Sequence, residues 1–229
     1  MKYLALFLFV LLLFPAASAV SLDEEHITLL SVVQFGNDSR RGGTADFTLQ
    51  IQAGSGKIFL ESYPAAQIDM QVATRLANEY ACEYVDVDCS DYDFFYTVRS
   101  GSPIIGGSSG GAAATLLTLS VLRDEPLPEG LAMTGAITSG GIITPVSGVN
   151  EKILAAQRED HTLILIPELS LLSTVEINET NSTNSTLFDE LITDEQLTSY
   201  TGRVEPVLTI PQAWFLATGE DLQPLPPLQ

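Results

Sequence analysis

Residues 103–117 read PIIGGSSGGAAATLL, and the interpretation of this stretch decides both the fold and the function of the chain. Four glycines flank Ser108 and Ser109, and an alanine- and leucine-rich run with helical character follows directly. The pattern is compatible with a flexible linker, a phosphate-binding loop, or a tight turn that presents one serine oxygen at the start of a helix. The surrounding residues discriminate between these structures.

The phosphate-binding interpretation fails on residue type. Counted from Gly101, the sequence GSPIIGGS follows the P-loop spacing, but Gly107 occupies the position of the lysine that contacts the phosphates. A second fragment, GSGK at residues 54–57, is followed by Ile58 where a magnesium-binding serine or threonine is required. The sequence therefore predicts no ATP binding.

The hexapeptide GGSSGG at residues 106–111 also resembles the hallmark of amidase-signature hydrolases. That family requires a catalytic lysine well upstream and a second glycine-serine motif, carrying the nucleophile, downstream. Lys57 is the only upstream lysine after the first 19 residues, and the downstream stretch TGAITSGG lacks the required pattern. We therefore reject this interpretation.

The third interpretation makes Ser109 a nucleophile at the point where the glycine turn meets the helix. Unpaired backbone N–H groups and the positive end of the helix dipole favour a developing oxyanion there. Ser108 is the rival nucleophile. A serine also needs a base, and the candidates outside the first 19 residues are these: His26, His161, Lys57 and Lys152.

Lys152 is the preferred base. It lies in the first turn of a predicted helix at residues 150–160, capped by Asn150, where the helix dipole disfavours a positive charge. Apolar neighbours predict partial burial, which lowers the pKa of a lysine further: Val149, Ile153 and Leu154. His26 and His161 are predicted to be surface or edge residues, because the sequence places no carboxylate partner for catalysis beside either one.

Hydrophobic periodicity predicts a two-layer α+β domain, because strands and helices are mixed without a repeated βαβ unit. Strands are predicted at residues 26–34, 45–53, 57–62, 91–98, 162–167 and 204–210, with two short strands around the turn Ser139-Gly140-Gly141. Helices are predicted at residues 68–81, with Asp69 as N-cap, and at 110–124, 150–160, 187–200 and 211–219. In the last helix, Pro211 stands in the first turn and Gly219 past the end.

The termini are predicted to lie outside this domain. Residues 1–19 carry Lys2, an apolar run and the small-residue site Ala17-Ser18-Ala19, a pattern typical of a secretory signal peptide. We expect a secreted or extracytoplasmic protein; the alternative is an uncleaved N-terminal segment that anchors it to a membrane. The domain is assigned to residues 20–219, and residues 220–229 are expected to form a flexible tail.

Charge and cysteine content limit the partners. With 29 acidic and 10 basic residues, the net charge of −19 argues against binding to nucleic acid or to anionic membranes. Cys82 and Cys89 are the only cysteines, and in an exported chain they favour a disulfide over a metal site, for which no further ligand is evident. Four N-x-S/T sequons predict exposed segments, glycosylated where the host does that chemistry: Asn37, Asn178, Asn181 and Asn184.

Three segments in order resemble the proteolytic domain of Lon-family serine peptidases. They are GGSSGGAAATLLTLS, then LAMTGAITSGGIITPVSGVNEKILAAQRED with its MTG and GVxxKIxAA signatures, then LILIP. Together with the upstream strands and the terminal PQAWFLATG, the resemblance spans most of the chain after residue 20. It is strongest to exported archaeal Lon-like proteins that lack an ATPase module.

This resemblance implies roles for individual residues. Ser109 takes the position of the nucleophile, Lys152 that of the general base, and Thr134 that of the threonine whose hydroxyl supports the lysine. The backbone of Gly107, Ser108 and Ser109 is implied to contribute to the oxyanion hole. The same resemblance allows a homo-oligomer, because Lon relatives form rings.

The chain departs from the Lon pattern beside the nucleophile. Lon proteins usually carry proline before the nucleophile and alanine after it, where this chain has Ser108 and Gly110. The acidic residue often found three positions earlier is Gly106, and the glutamate that often follows MTG is Ala136. These differences leave serine, threonine and lysine in place but are compatible with weaker activity or an altered substrate preference.

The sequence is therefore interpreted as a secreted, ATP-independent serine endopeptidase that acts on unfolded or extended polypeptides through a Ser109–Lys152 dyad. No cofactor, metal, ATP or nucleic acid is expected to take part. The alternative is a catalytically inactive Lon-like domain that serves as a binding module or scaffold.

Overall fold

A mixed β-sheet forms the framework of the computed structural model, which describes residues 24–35, 39–101, 106–172 and 200–223. Its strands, in chain order, are β1 (Glu24–Phe35), β2 (Ser39–Ala53), β3 (Ile58–Tyr63), β4 (Tyr92–Ser100), β5 (Leu131–Met133), β6 (Ala136–Ile137), β7 (Ile143–Thr144), β8 (Leu163–Pro167) and β9 (Arg203–Val207). Within the described residues, seven strands lie in the order β3-β4-β2-β1-β5-β8-β9, and β6 pairs with β7 in a separate hairpin.

Strand direction divides the main sheet into two halves. β1 and β4 pair antiparallel with β2, whereas β1, β5, β8 and β9 run parallel to one another. The hairpin β6–β7 encloses the predicted turn Ser139-Gly140-Gly141, and the preceding residues Leu131–Met133 enter the main sheet as β5 instead.

Five helices pack on this sheet in the described part of the chain. They are α1 (Ile68–Val85), α2 (Gly111–Arg123), α3 (Val149–Arg158), α4 (Glu168–Leu172) and α5 (Ile210–Thr218), with short 3₁₀ turns at Cys89–Asp91 and Ser108–Gly110. Helices α1, α2 and α5 contribute to the larger core on one face of the sheet. The predicted α+β class is confirmed.

Helix α3 covers the opposite face of the central strands. Alternation along β8 explains how both faces are buried: Leu163 and Leu165 point into the larger core, and Ile164 and Ile166 pack with Ile153 of α3. Since period-two alternation places a hydrophobic residue on each face, β8 lies inside the sheet with helices on both sides. This burial gives α3 a fixed position against β1.

Terminal residues were predicted for three helices, and the predicted N-caps of two of them are wrong. The N-cap of α1 is Gln67, and Asp69 lies in the first turn, where its carboxylate accepts a backbone hydrogen bond from another segment. The N-cap of α3 is Gly148, so that Asn150 lies inside the helix. The boundaries of α5 are confirmed, with proline in the first turn and Gly219 past the end.

The two cysteines form a disulfide in this structure, with Cα atoms 5.9 Å apart. Cys82 lies near the end of α1, and Cys89 begins the 3₁₀ turn that directly precedes β4. The disulfide therefore joins α1 to the segment before β4. Residues near the predicted tail are also packed: Leu222 is buried in the core and its carbonyl accepts a hydrogen bond from Tyr84. Leu222 belongs to the segment 220–229, whose flexibility stays a prediction.

Several predictions fall outside the described residues. These are the signal peptide at 1–19, the end of the tail at 224–229, the four sequons, and residues 187–199 of a predicted helix. In the described segments, no helix combines the length and apolar character needed to cross a bilayer.

Helix α3 approaches the sheet most closely at Gly42 of β2. A Cβ atom at this position would lie 1.7 Å from the carbonyl oxygen of Glu151, in the first turn of α3. Because backbone atoms cannot rotate out of the way, Gly42→Ala is expected to displace α3 and lower the free energy of unfolding by roughly 3 kcal/mol. Urea denaturation measures this effect.

Gly101→Ala is the matched control, because a Cβ atom at Gly101 would have no neighbour within 4 Å among the described residues. We expect this variant to keep the stability of the parent protein to within about 0.5 kcal/mol. Equal stabilities for the two variants would contradict the close packing of α3 on β2.

Candidate active site

Ser109 lies in the 3₁₀ turn Ser108–Gly110, which continues directly into α2. Ser109 is partly buried, whereas Ser108 is exposed. Gly107 precedes the turn with φ 95° and ψ 142°, a conformation that residues with a side chain rarely adopt. The glycine-rich stretch is therefore a tight turn at a helix start, and Ser109 is the more shielded of its two serines.

The loop between β5 and β6 holds this turn in place. The amide of Gly135 donates to the carbonyl oxygen of Ser109 at 2.8 Å, and the amide of Ala112 donates to Gly135 at 2.9 Å. The hydroxyl of Thr134 also donates to the Ser109 carbonyl, at 3.4 Å. These hydrogen bonds connect the first turn of α2 to the MTG signature. Thr134 of this signature is the residue that the Lon resemblance implied as the support of the lysine.

Lys152 is buried, with only 3% of its surface exposed, although it lies in the first turn of α3. Its Nζ donates a hydrogen bond of 3.0 Å to Oγ1 of Thr134, which is itself fully buried. Burial lowers the pKa of Lys152 to about 8, while the neighbouring charge of Glu151 opposes this shift. The amine therefore exists in its neutral form over an accessible pH range.

One cleft of about 380 Å³ brings these groups together. Ser109 and Lys152 both line it, as do Ser31 and Val32 of β1 on one side and the segment Pro145–Ser147 on another. Among the described residues, Oγ of Ser109 and Nζ of Lys152 are not hydrogen-bonded to each other; Thr134 contacts both residues.

The other candidate bases lie elsewhere. His26 is exposed on β1 opposite Thr48, and Lys57 is exposed before β3. His161 lies in a different cleft, with its Nε2 3.8 Å from a carboxylate oxygen of Glu159. Of the four bases considered from the sequence, Lys152 alone lines the cleft that contains Ser109.

The backbone donors around Ser109 differ from the expectation at one position. The amide of Gly107 donates to Oδ2 of Asp69 at 2.6 Å and so is not available to an oxyanion. In the described part of the chain, the amides of Ser108 and Ser109 have no acceptor. Among the described residues, two of the three predicted oxyanion donors therefore have no partner at the start of α2.

The arrangement supplies the parts of an acyl-transfer site. A buried amine of lowered pKa can accept a proton, a partly buried hydroxyl can attack a carbonyl carbon, and two unpaired amides can bind the resulting oxyanion. Because Thr134 accepts one N–H of Lys152, the lone pair of the neutral amine is left free for another partner.

Sequence reasoning missed three residues of this site. Asp69 was predicted only as a helix cap, Ser31 only as part of a strand, and Glu151 was not considered. The buried hydroxyl of Ser31 has no hydrogen-bond partner among the described residues. The sequence carries no local signal for the contact between Asp69 and Gly107, because the two residues are 38 positions apart.

Known protein families include one whose model matches this chain over the segment that contains Ser109, Thr134 and Lys152. A family model for the Lon protease (S16) C-terminal proteolytic domain matches residues 46–187, more than half of the chain. The chain belongs to this family. The earlier resemblance to Lon proteins is thus confirmed, and the mixed sheet with its packed helices is a Lon proteolytic domain.

Similar Lon proteins come from archaea, bacteria and eukaryotes. The archaeal Lon protease of Methanocaldococcus jannaschii is 33% identical over 40% of this chain and 14% of its own length. The Lon protease of Elusimicrobium minutum is 31% identical over 57% of this chain and 16% of its own length. The peroxisomal Lon protease homolog 2 of Eremothecium gossypii is 35% identical over 62% and 15%, respectively. This Lon domain therefore matches only about one sixth of the length of these relatives.

Proposed function

We propose that this Lon proteolytic domain is a serine endopeptidase in which Ser109 is the nucleophile and Lys152 is the general base. The observation that carries the proposal is the burial of the Lys152 amine in the cleft that Ser109 lines. A buried lysine is costly unless its charge can be lost, and the lowered pKa makes it a base near neutral pH. Membership of a protease family supports the same reaction class.

The reaction begins with the side chain of Ser109 turning toward Lys152 when substrate fills the cleft. Such tightening is common, since catalytic hydrogen bonds are often absent without substrate. Neutral Lys152 takes the hydroxyl proton, and Oγ attacks the scissile carbonyl carbon to give a tetrahedral oxyanion. The amides of Ser108 and Ser109 bind that oxyanion.

Collapse of this intermediate breaks the C–N bond, and the Lys152 ammonium returns the proton to the leaving amine. Water then attacks the acyl-enzyme ester, with Lys152 again accepting the proton. The C–O bond to Ser109 then breaks, the Lys152 ammonium returns its proton to Oγ, and a carboxylic acid is released. Thr134 keeps one N–H of the lysine occupied throughout, which directs the basic lone pair.

An extended polypeptide is the substrate class that fits the cleft. β1 pairs with β5 only at Thr28 and Leu29, so among the described strands its edge beyond Leu29 is open on that side. Ser31 and Val32, just past that point, line the cleft beside the nucleophile. A peptide main chain adds to an open strand edge through backbone hydrogen bonds, which requires a locally unfolded segment.

Two further parts of the proposal come from the sequence. Hydrolysis is proposed to proceed without ATP, because both glycine-rich segments of this chain lack a residue that a P-loop requires. The protein is proposed to act outside the cytoplasm, because residues 1–19 have the pattern of a signal peptide. A binding or scaffold function is the second candidate, favoured by the unmade bond between Ser109 and Lys152.

A fluorophosphonate probe, which reacts with activated serines, separates these candidates. We expect covalent labelling at Ser109, located by peptide mass spectrometry, at a rate that rises with pH through about 8 because Lys152 must be neutral. Glu151→Gln removes the charge that raises this pKa, so the rising limb should move to lower pH, by less than about one unit.

Glu168→Gln is the matched control for Glu151→Gln, since Glu168 also lies in a first helical turn, that of α4, and should leave the limb in place. If only Ser108 were labelled, Ser108 and not Ser109 would be the nucleophile. A protein that remains unlabelled from pH 6 to 10 would be the scaffold.

A further inference from the structure

The carboxylate of Asp69 connects α1 to the turn that carries Ser109. Its Oδ2 accepts the amide hydrogen of Gly107 at 2.6 Å, and its Oδ1 accepts that of Met70 at 2.9 Å. Asp69 lies in the first turn of α1, where the helix dipole stabilises a negative charge. A charge-assisted hydrogen bond of this length is stronger than a bond between neutral groups.

Two neighbours of Asp69 contact the same turn. A Cβ atom on Gly106 would lie 2.5 Å from the side-chain amide of Gln67, and one on Gly110 would lie 3.1 Å from the sulfur of Met70. The first turn of α1 thus lies along the turn from position 106 to 110. The carboxylate of Asp69 provides its directional contact, since the others are van der Waals contacts.

The contact between Asp69 and Gly107 affects the orientation of the Ser108 and Ser109 amides, which have no acceptor among the described residues. Gly106 and Gly107 have no side chains to restrict them, so rotation about their backbone bonds would swing the Ser108 and Ser109 amides away from a common point. Binding the Gly107 amide fixes the peptide plane before the turn. It also removes that amide from the oxyanion hole and leaves the next two as donors.

We propose that Asp69 is a positioning residue that acts through Gly107 to hold the nucleophile turn of Ser109 in its reactive conformation. A side chain at position 106 would overlap Gln67, so the anchor and the glycine are mutually consistent. The inference rests on the proposed peptidase function.

The experiment compares Asp69→Ala, Asp69→Asn and the control Asp93→Ala in the full chain. Asp93 matches Asp69 because its carboxylate also holds a glycine-containing turn, accepting the amides of Ser55 and Lys57 at 2.8 and 2.9 Å, outside the catalytic cleft. The readouts are the fluorophosphonate labelling rate, kcat and KM for an unfolded peptide, and hydrogen exchange of a peptide spanning 106–110.

We expect Asp69→Ala to lower kcat and the labelling rate about 10- to 100-fold with KM changed less than about threefold, because the lost contact orients transition-state donors. Asp69→Asn retains an acceptor without the charge and should recover most of the rate. Exchange across 106–110 should accelerate in Asp69→Ala alone, while Asp93→Ala should exchange faster only around residues 54–57.

The outcomes separate this inference from the proposed function. If the wild-type protein labels at Ser109 while Asp69→Ala labels equally fast, the positioning role is wrong and the peptidase stands. Faster exchange at 106–110 without a change in kcat would make Asp69 merely structural and likewise overturn the role. If the wild-type protein reacts no faster than Ser109→Ala, the peptidase itself fails and the positioning role with it.

Discussion

Replacement of Ser109 by alanine is expected to reduce cleavage of unfolded casein by roughly 10⁴-fold or more, measured without ATP. The reason is chemical: without Oγ no acyl-enzyme forms, and the remaining amides can stabilise only a slow direct attack by water. The substitution removes one oxygen atom from a partly buried side chain, so the fold should be retained. Release of acid-soluble peptides from fluorescent casein measures the effect.

Ser108→Ala is the control for this experiment. Ser108 is exposed, and its amide, which the variant keeps, is its proposed contribution to the site. We expect this variant to retain the wild-type rate within about threefold, since no reacting atom is removed. Casein cleavage by Ser109→Ala at the wild-type rate would exclude Ser109 as the nucleophile.

Replacement of Lys152 by methionine should change activity and stability in opposite directions. Hydrolysis should fall by at least about 10³-fold, because no other base lines the cleft in the described part of the chain. At pH 7 the free energy of unfolding should rise by about 2 kcal/mol, because the wild-type protein must bury a charged amine there.

The direction in which wild-type stability changes with pH follows from the number of protons bound in the folded and unfolded states. The pKa of Lys152 is about 8 in the folded protein and about 10.4 when unfolded, so between these values the unfolded chain binds more protons. Wild-type stability therefore rises with pH across this window by roughly 3 kcal/mol, and the full penalty persists below pH 8. In Lys152→Met the hydrogen bond to Thr134 is lost, which reduces the gain in the free energy of unfolding by about 1 kcal/mol.

Urea denaturation at pH 7 and pH 10.5 measures this difference. The advantage of Lys152→Met should vanish at pH 10.5, where the wild-type amine is neutral in the folded protein and about half neutral in the unfolded chain, so that little of the penalty remains. Lys57→Met is the control, since Lys57 is exposed and should show neither effect. A variant less stable than wild type at pH 7 would mean that the Lys152 ammonium is well accommodated.

Strands and helices could be predicted from the sequence because their hydrophobic periodicity involves residues that are close together along the chain. The alternation in β1 and the apolar run of α2 are examples, and their positions agree with the structure. Helix starts were harder: Asp69 and Asn150 have side chains suited to capping, but the N-caps are Gln67 and Gly148, and the carboxylate of Asp69 binds the amide of Gly107. Whether such a residue caps a helix depends on its surroundings in the fold as well as on its side chain.

The sequence by itself determined the family and the α+β class, and it predicted the residue types of the site, because the motifs around Ser109, Thr134 and Lys152 each lie in a contiguous stretch. Only the tertiary structure decided how dry Lys152 is, which amides remain unpaired, and that Asp69 holds the turn before Ser109. These properties depend on contacts between segments 18 to 38 residues apart, exemplified by Lys152 with Thr134 and Asp69 with Gly107. Burial and hydrogen bonding are set by such neighbours in space, and no local pattern encodes them.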